Sequence, residues 1–156
     1  MEKHKGIILK VTRMYCEHKE NREDLFQDII IQLWQAYPRF KNNSKVTTWM
    51  YRVALNTAIS RIRKEKKKGQ YHDAPDYALE IALQQHHQDD ENIELLFKAI
   101  HLLSDIEKAV VMLYMDDYSY KEMAEMLGTT ESNIGFKINK IKGKLKSIVK
   151  TLSYGA

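Results

Sequence analysis

Polar and basic residues near the C-terminus have the types and spacing needed to bind duplex DNA. Gly128 and Thr129-Thr130 separate a short helical pattern from a long one, which is the layout of a helix-turn-helix. Amides and amines reach base edges and phosphates, and an aromatic ring contacts the thymine methyl group. The alternative is a helical hairpin with a solvated lysine face and a partly buried Phe136, so the exposure of that ring stays open. The predicted DNA-binding residues here are Thr130, Ser132, Asn133, Phe136, Lys137, Lys140 and Lys144.

A second polar surface lies on a helix predicted to run from about Thr48 to Lys67. Its polar residues recur every three or four positions and therefore share one ridge. Such a ridge suits a nucleic-acid backbone, with an aromatic ring on which bases stack. A tryptophan at helical spacing is also a common core residue, so both interpretations of Trp49 stay open. The predicted set is Trp49, Arg52, Asn56, Ser60, Arg63 and Lys67, preceded by the loop residues Asn42, Asn43 and Lys45.

The preceding helix, predicted over residues 22–37, has an outer face of different chemistry. One apolar residue stands there among acids and amides, a composition that favours protein docking over DNA binding. This face comprises Asp24, Gln27, Asp28, Ile31 and Gln35. The predicted core stripe of the same helix is Phe26, Ile29, Ile30, Leu33, Trp34 and Tyr37.

Two other groups contain residue types found in metal sites or catalytic sites. The cluster of His86, His87, Asp89 and Asp90 contains metal-ligand types, but no second cluster matches it. Cys16 has no predicted partner that would make it a nucleophile. We find no phosphate-binding glycine loop and no catalytic triad motif, so we expect no enzyme activity, no metal and no cofactor.

The elements that position these residues are helical throughout, since strand patterns are nearly absent. The sequence predicts a first helix over about residues 4–18 and later helices over residues 93–103, 105–115 and up to Leu127. Capping boxes at Ser104–Glu107 and Ser119–Glu122 start two of them. Gly128 ends the short helix in the left-handed conformation. A final long helix follows Thr130, with isoleucines and leucines at steps of 4 and 3.

Composition and charge divide the 156 residues into parts. A net charge of +4 conceals +9 in residues 1–70, −9 in residues 71–117 and +4 in residues 118–156. Two basic ends around an acidic middle indicate two polyanion-binding modules, although uneven charge on a helical surface is the simpler alternative. We predict an all-α fold of two small domains, residues 1–68 and 93–156, joined by a flexible acidic linker over residues 69–92. A single cysteine, no apolar run of membrane-spanning length and no signal peptide lead us to expect a soluble cytoplasmic protein.

Several of these segments together resemble a known family, in family order and over both halves of the chain. They are Glu23–Asp28, Leu33-Trp34, Thr48–Asn56, Leu102-Leu103, Tyr118–Ala124, Leu127-Gly128 and the helix from Ile134 to Leu145. On these motifs the chain resembles a bacterial RNA polymerase sigma factor of the small extracytoplasmic-function (ECF) subfamily.

The resemblance implies a non-catalytic initiation factor that acts as a subunit of RNA polymerase. Segment 24–28 would dock on the core enzyme, region 42–56 would recognise and open the −10 promoter element, and region 129–144 would read the −35 element. The linker would run through polymerase, and an anti-sigma factor is an expected partner. Two alternatives remain at this point: a helix-turn-helix regulator with an N-terminal sensor or dimerisation domain, and a metal-dependent hydrolase using the cluster from His86 to Asp90.

Overall fold

The computed structural model describes residues 2–16, 18–69, 95–96, 98–100 and 102–154. These residues are helical or form turns, and none of them belongs to a strand. They fall into two compact units, each described by itself below. The all-α prediction is therefore confirmed for the described part of the chain. The helical turn considered near Tyr77–Leu83, and the rest of the predicted linker after Gly69, lie outside the described residues.

The N-terminal unit consists of three α-helices and two short 3₁₀ turns. The helices are α1 (Lys5–Tyr15), α2 (Lys19–Ala36) and α3 (Val46–Lys67), with 3₁₀ turns at Glu2–His4 and Tyr37–Arg39. Helix α3 packs against both α1 and α2, so its apolar side is enclosed by two neighbours. The buried residues of α3 are Thr48, Met50, Tyr51, Ala54, Leu55, Ala58, Ile59 and Ile62.

The core face of α2 differs from the predicted stripe. Its buried residues are Leu25, Ile29 and Leu33, which recur at steps of four. Trp34 and Tyr37 are 67% and 65% exposed, so their assignment to the core was wrong. Trp34 lies nine positions after Leu25, and nine residues of α-helix rotate it by about 180° to the opposite side. Tyr37 follows the last residue of α2 and leaves the helical register in the 3₁₀ turn that contains Pro38.

The C-terminal half of the chain contains α4 (Asp105–Met115), α5 (Tyr120–Leu127) and α6 (Glu131–Tyr154). Both predicted capping boxes are present. The Ser104 Oγ accepts the Glu107 amide at 3.3 Å, and the Glu107 carboxylate accepts the Ser104 amide at 3.0 Å. The corresponding distances at Ser119 and Glu122 are 3.1 and 3.0 Å. These reciprocal bonds satisfy amides that a helix start leaves free, and so they fix where α4 and α5 begin.

The long helix α6 carries the isoleucine stripe that the spacing predicts. Ile134, Ile138 and Ile141 are buried, and α6 packs against α4. Leu145, Ile148 and Leu152 continue the stripe and are half-buried. Residues 95–96 and 98–100 are helical, in agreement with the helix predicted over residues 93–103, but Leu102 and Leu103 form a turn and a bend, so the predicted C-terminal end of that helix was wrong. No helix among the described residues is long and apolar enough to cross a membrane.

Gly128 adopts a φ of +67°, the left-handed conformation expected at the end of α5. An L-residue with a Cβ is strained there, so we predict that Gly128→Ala lowers the free energy of unfolding by about 1 kcal/mol. Gly143 is the matched control, because it lies inside α6 with no atom within 4 Å of an added Cβ. Gly143→Ala is expected to raise stability by up to about 1 kcal/mol. Thermal denaturation followed by far-UV circular dichroism measures both changes, and equal effects would contradict the assignment.

Candidate nucleic-acid and protein-docking surfaces

The start of α6 is organised by two threonines that precede it. The Thr130 hydroxyl accepts a hydrogen bond from the Asn133 amide at 3.1 Å, so Thr130 caps the N-terminus of α6. The Asn133 side-chain amide donates to the Thr129 hydroxyl at 2.6 Å. This second bond fixes the orientation of the half-buried Asn133 side chain. Thr130 and Asn133 therefore shape the turn as well as belonging to the predicted DNA-binding set.

The outer side of α6 presents most of the predicted set to solvent. Ser132 and Lys140 are exposed, and Lys137 is half-buried. The Phe136 ring is 67% exposed, which answers the open question of whether it is part of the core. The preceding residue, Gly135, faces the ring of Tyr120 in α5. A Cβ atom added to Gly135 would lie 3.6 Å from that ring. The helix therefore turns a glycine toward α5 and an aromatic ring outward.

Lys144, the last member of this set, is tied to α4. Its ammonium group donates to both carboxylate oxygens of Glu107, at 3.3 and 3.0 Å. Burial raises the pKa of Glu107, but the hydrogen bond from the Ser104 amide and the Lys144 ammonium group outweigh it, and the net pKa lies below its ordinary value. Glu107 thus caps α4 and holds α6 at once. The sequence placed Lys144 on the DNA-facing side, and the structure adds this intramolecular contact.

The ridge on α3 is exposed along its length after its first member. Arg52, Asn56, Ser60, Arg63 and Lys67 are all solvent-accessible on the side opposite the core. The loop residues Asn42, Asn43 and Lys45 are exposed too, and Asn42 has a φ of +56°. An asparagine tolerates this left-handed conformation better than most residues. The structure thus brings the loop to the N-terminal end of the ridge.

Trp49 is half-buried in an aromatic cluster that the sequence analysis did not identify. The Phe40 ring stacks on Trp49 with centroids 4.8 Å apart, and the Tyr37 ring meets it edge-on at 6.3 Å. Beside the cluster is a cavity of about 340 Å³. Its lining consists of His4, Leu33, Trp34, Tyr37, Val46, Trp49 and Met50. Both interpretations of Trp49 therefore hold in part, since its ring is packed but keeps an accessible side. The proline-interrupted run of aromatic residues from Tyr37 to Phe40 is a sequence signal from which this cluster could have been predicted.

The predicted docking residues of α2 lie together on its outer side. Asp24, Gln27, Asp28 and Gln35 are exposed, and Ile31 is 51% exposed. Arg61 of α3 borders this face: its Nη1 lies 2.7 Å from Asp28 Oδ2, and its Nη2 lies 3.9 Å from Asp24 Oδ2. Its Nε donates to Glu65 Oε1 at 3.1 Å. One guanidinium group is thus surrounded by three carboxylates.

Sequence reasoning missed Arg61 because the α3 pattern shows only which residues share a ridge. The partner Asp28 is 33 positions earlier, so no local spacing joins the two residues. Burial lowers the pKa of Arg61, but the hydrogen bond to Glu65 and the charges of Asp28 and Glu65 outweigh it and raise the net pKa. Arg61 is therefore a permanent cation at the edge of an acidic face.

The other groups considered for chemistry give no site in the described residues. No group of three or more His, Cys, Asp or Glu side chains there could hold a metal ion. The cluster from His86 to Asp90 lies outside the described residues. Burial raises the pKa of the Cys16 thiol to about 11, so the group is protonated at neutral pH and is a poor nucleophile.

The lowered pKa of Glu107 predicts an acid-sensitive contribution to stability. A carboxyl group whose pKa is lower in the folded state stabilises the fold above its unfolded pKa and loses that effect as pH falls through the folded value. The contribution of no more than about 1 kcal/mol is thus expected to decline as pH falls below the ordinary Glu pKa and to be lost below the lowered pKa of Glu107. Glu107→Gln keeps a capping group and removes the charge, so its stability relative to wild type should rise as pH falls. Urea denaturation of both proteins between pH 3 and 7, sampled most closely around the ordinary Glu pKa, measures this difference in stability. A difference that does not change with pH would contradict the prediction.

Comparisons with known proteins agree with the two-part organisation. Residues 1–68 match the family model for Sigma-70 region 2, and residues 93–145 match the model for Sigma-70 region 4. The chain is 22% identical over 153 residues to the ECF RNA polymerase sigma factor SigM of Mycobacterium tuberculosis, covering 98% of this chain and 76% of that protein. It is 24% identical over 168 residues to the RNA polymerase sigma factor YlaC of Bacillus subtilis, covering 92% of each.

A solved structure supports the same fold. The sigma factor RpoE of Bartonella quintana, in complex with the anti-sigma factor NepR, is similar with a TM-score of 0.63 at 19% identity, covering 96% of this chain and 91% of that one. The helical fold, the two matched regions and the similarity to SigM and YlaC all indicate the same family. The chain is a bacterial RNA polymerase sigma factor of the sigma-70 family and belongs to its extracytoplasmic-function subfamily.

Proposed function

We propose that this sigma factor directs promoter-specific initiation through three surfaces on different helices. The outer face of α2 binds core RNA polymerase, the α3 ridge and its loop bind the −10 element, and the start of α6 binds the −35 element. Residues 1–68 and 93–156 act as the two functional domains, with residues 69–92 as their connection. The observation that carries this assignment is the separation of an acidic, amide-rich face on α2 from a basic polar ridge on α3, since one attracts protein cations and the other phosphates.

The −10 assignment rests on the ridge and on the aromatic cluster at its start. Arg52, Arg63 and Lys67 place cations along about four turns of one helix, which suits a phosphate backbone. The ring of Trp49 is held by Phe40 and Tyr37, and its accessible side offers a surface for an unstacked base. The polar loop at Asn42, Asn43 and Lys45 lies at the same end. This arrangement favours single-stranded DNA over a rigid duplex.

The −35 assignment rests on the outer side of α6. A helix-turn-helix places the N-terminal part of its second helix in the major groove. In α6 that part presents Ser132, Phe136, Lys137 and Lys140. Lysine is a point charge without the planar fork of arginine, so phosphate position and DNA shape contribute more here than bidentate base contacts. Lys144 contributes chiefly by holding α6 on Glu107.

The same proposal covers partners and cellular location. Two modest DNA surfaces on one polymerase gain promoter selectivity from effective concentration rather than from the affinity of either surface. RpoE is bound by an anti-sigma factor, and we infer that this chain also has an anti-sigma partner in the cytoplasm. The factor supplies recognition, and the polymerase supplies the catalysis.

The docking role of α2 is tested by in vitro transcription with core RNA polymerase and a promoter library. Asp28→Lys reverses the charge at the centre of the face and sets a second cation beside Arg61, so we expect initiation to fall about tenfold or more. Glu23→Lys is the matched control, because Glu23 is exposed on the same helix and lies about 140° around it from Asp28. The control should stay within about twofold of wild type. If wild type supports no initiation at any promoter, the proposed function is wrong.

The DNA role of α6 is tested by the salt dependence of binding. The full chain without polymerase is expected to bind a promoter duplex weakly, with affinity falling steeply as salt rises. Lys140→Ala removes one phosphate contact and should reduce the slope of log K against log salt by about one. Lys150→Ala is the control, since Lys150 is an exposed lysine about 15 Å farther along α6. Fluorescence anisotropy measures both slopes, and tight promoter-specific binding by the free chain would instead favour a stand-alone regulator.

A further inference from the structure

The carboxylates on the acidic face of α2 are held from one side only, by Arg61 of α3. Arg61 contacts the Oδ2 atoms of Asp28 and Asp24 and leaves each Oδ1 atom free of it. Within the described residues, no other hydrogen bond or ion pair involves either carboxylate. The Arg61 side chain is 24% exposed, while those of Asp24 and Asp28 are 64% and 50% exposed. The Arg61 guanidinium group is therefore more buried than the two carboxylates, which extend past it toward solvent.

We propose that Arg61 is a positioning residue for polymerase docking: it holds Asp28, and more weakly Asp24, so that their outer oxygens face a cationic partner surface. This inference rests on the proposed function of the α2 face. A carboxylate accepts through both oxygens, so one oxygen can be held within the chain while the other receives an arginine or lysine of the partner. Arg61 belongs to α3, so packing between the two helices determines where the α2 carboxylates stand.

Two physical effects make such positioning useful. A side chain that is already ordered loses less conformational freedom on binding. The charge balance also stays favourable, because Arg61 offsets only part of the charge on Asp24, Asp28 and Glu65. The face remains acidic and still attracts a basic surface.

The same geometry allows an opposite role. An internal arginine could compete with the partner for the aspartates, in which case its removal would strengthen docking. The short Arg61–Asp28 contact of 2.7 Å uses one oxygen only, and half of the Asp28 side chain remains exposed. A competitor would instead engage both oxygens of one carboxylate in the bidentate arrangement that arginine prefers. The geometry therefore favours positioning.

The experiment measures the affinity of the full chain for core RNA polymerase in the absence of DNA. Arg61→Gln is expected to weaken binding about three- to tenfold, a modest loss because the ion pair is partly solvated. Lys64→Gln is the matched control, since it removes one exposed positive charge from the same helix without touching the α2 acids. It should bind as tightly as wild type. Unchanged or tighter binding by Arg61→Gln would overturn the proposal while leaving the proposed function intact.

A double-mutant cycle separates positioning from a general structural role. In an Asp28→Asn background the main carboxylate to be positioned is gone, so Arg61→Gln should cost less than about twofold further. If Arg61 merely supported the fold, its loss would weaken binding equally in both backgrounds, and that result would also overturn the proposal. Arg61→Lys keeps the charge but not the three-way geometry, and it should fall between wild type and Arg61→Gln.

Stability and the wild-type measurement complete the design. Thermal denaturation of each variant shows whether weaker binding follows unfolding; if Arg61→Gln is unfolded, Arg61→Lys and its cycle with Asp28→Asn carry the test. Failure of the wild-type chain to bind core polymerase would overturn the proposed function and this inference together. Binding by wild type with no coupling between Arg61 and Asp28 would overturn this inference alone.

Discussion

The packing of α3 against two helices at once is the constraint on which the rest of the N-terminal unit depends. Ala54, Leu55 and Ala58 have no exposed surface, and the small side chains of the two alanines let α1 and α2 approach closely. Because one side of α3 is enclosed by its neighbours, the residues on its other side must face solvent. The burial of these residues therefore fixes the exposed ridge from Arg52 to Lys67, and it also fixes where Arg61 meets α2.

That arrangement keeps two opposite chemistries apart on one small unit. The α2 acids would repel the phosphates that the ridge attracts if they lay on the same side. Arg61 stands between them, offsets part of the acidic charge and ties the acids to the helix that carries the ridge. The surfaces proposed for protein docking and for DNA binding are thus linked through α3, so that the angle between them is set by the helix packing.

The helices of the C-terminal half are positioned by different interactions. Reciprocal capping bonds start α4 and α5, Gly128 turns the chain, and Thr130 starts α6. Glu107 then joins the first of these helices to the last, since it caps α4 and accepts from Lys144. The direction in which Phe136 and Lys140 point is therefore set by local turn chemistry and one long-range ion pair.

The sequence by itself determined the helices, their caps and which polar residues share a helix face. These features depend on neighbours within about four residues, and capping boxes, a left-handed glycine and a 3.6-residue period are local by nature. Only the tertiary structure decided that Trp34 and Tyr37 lie outside the core, that Trp49 is stacked on Phe40, and that Arg61 and Lys144 are tied to acids 33 and 37 positions away. Periodicity shows which residues share a stripe, but the neighbouring helices decide which part of that stripe is buried. A contact between two helices joins residues far apart in the sequence, so no local spacing predicts it.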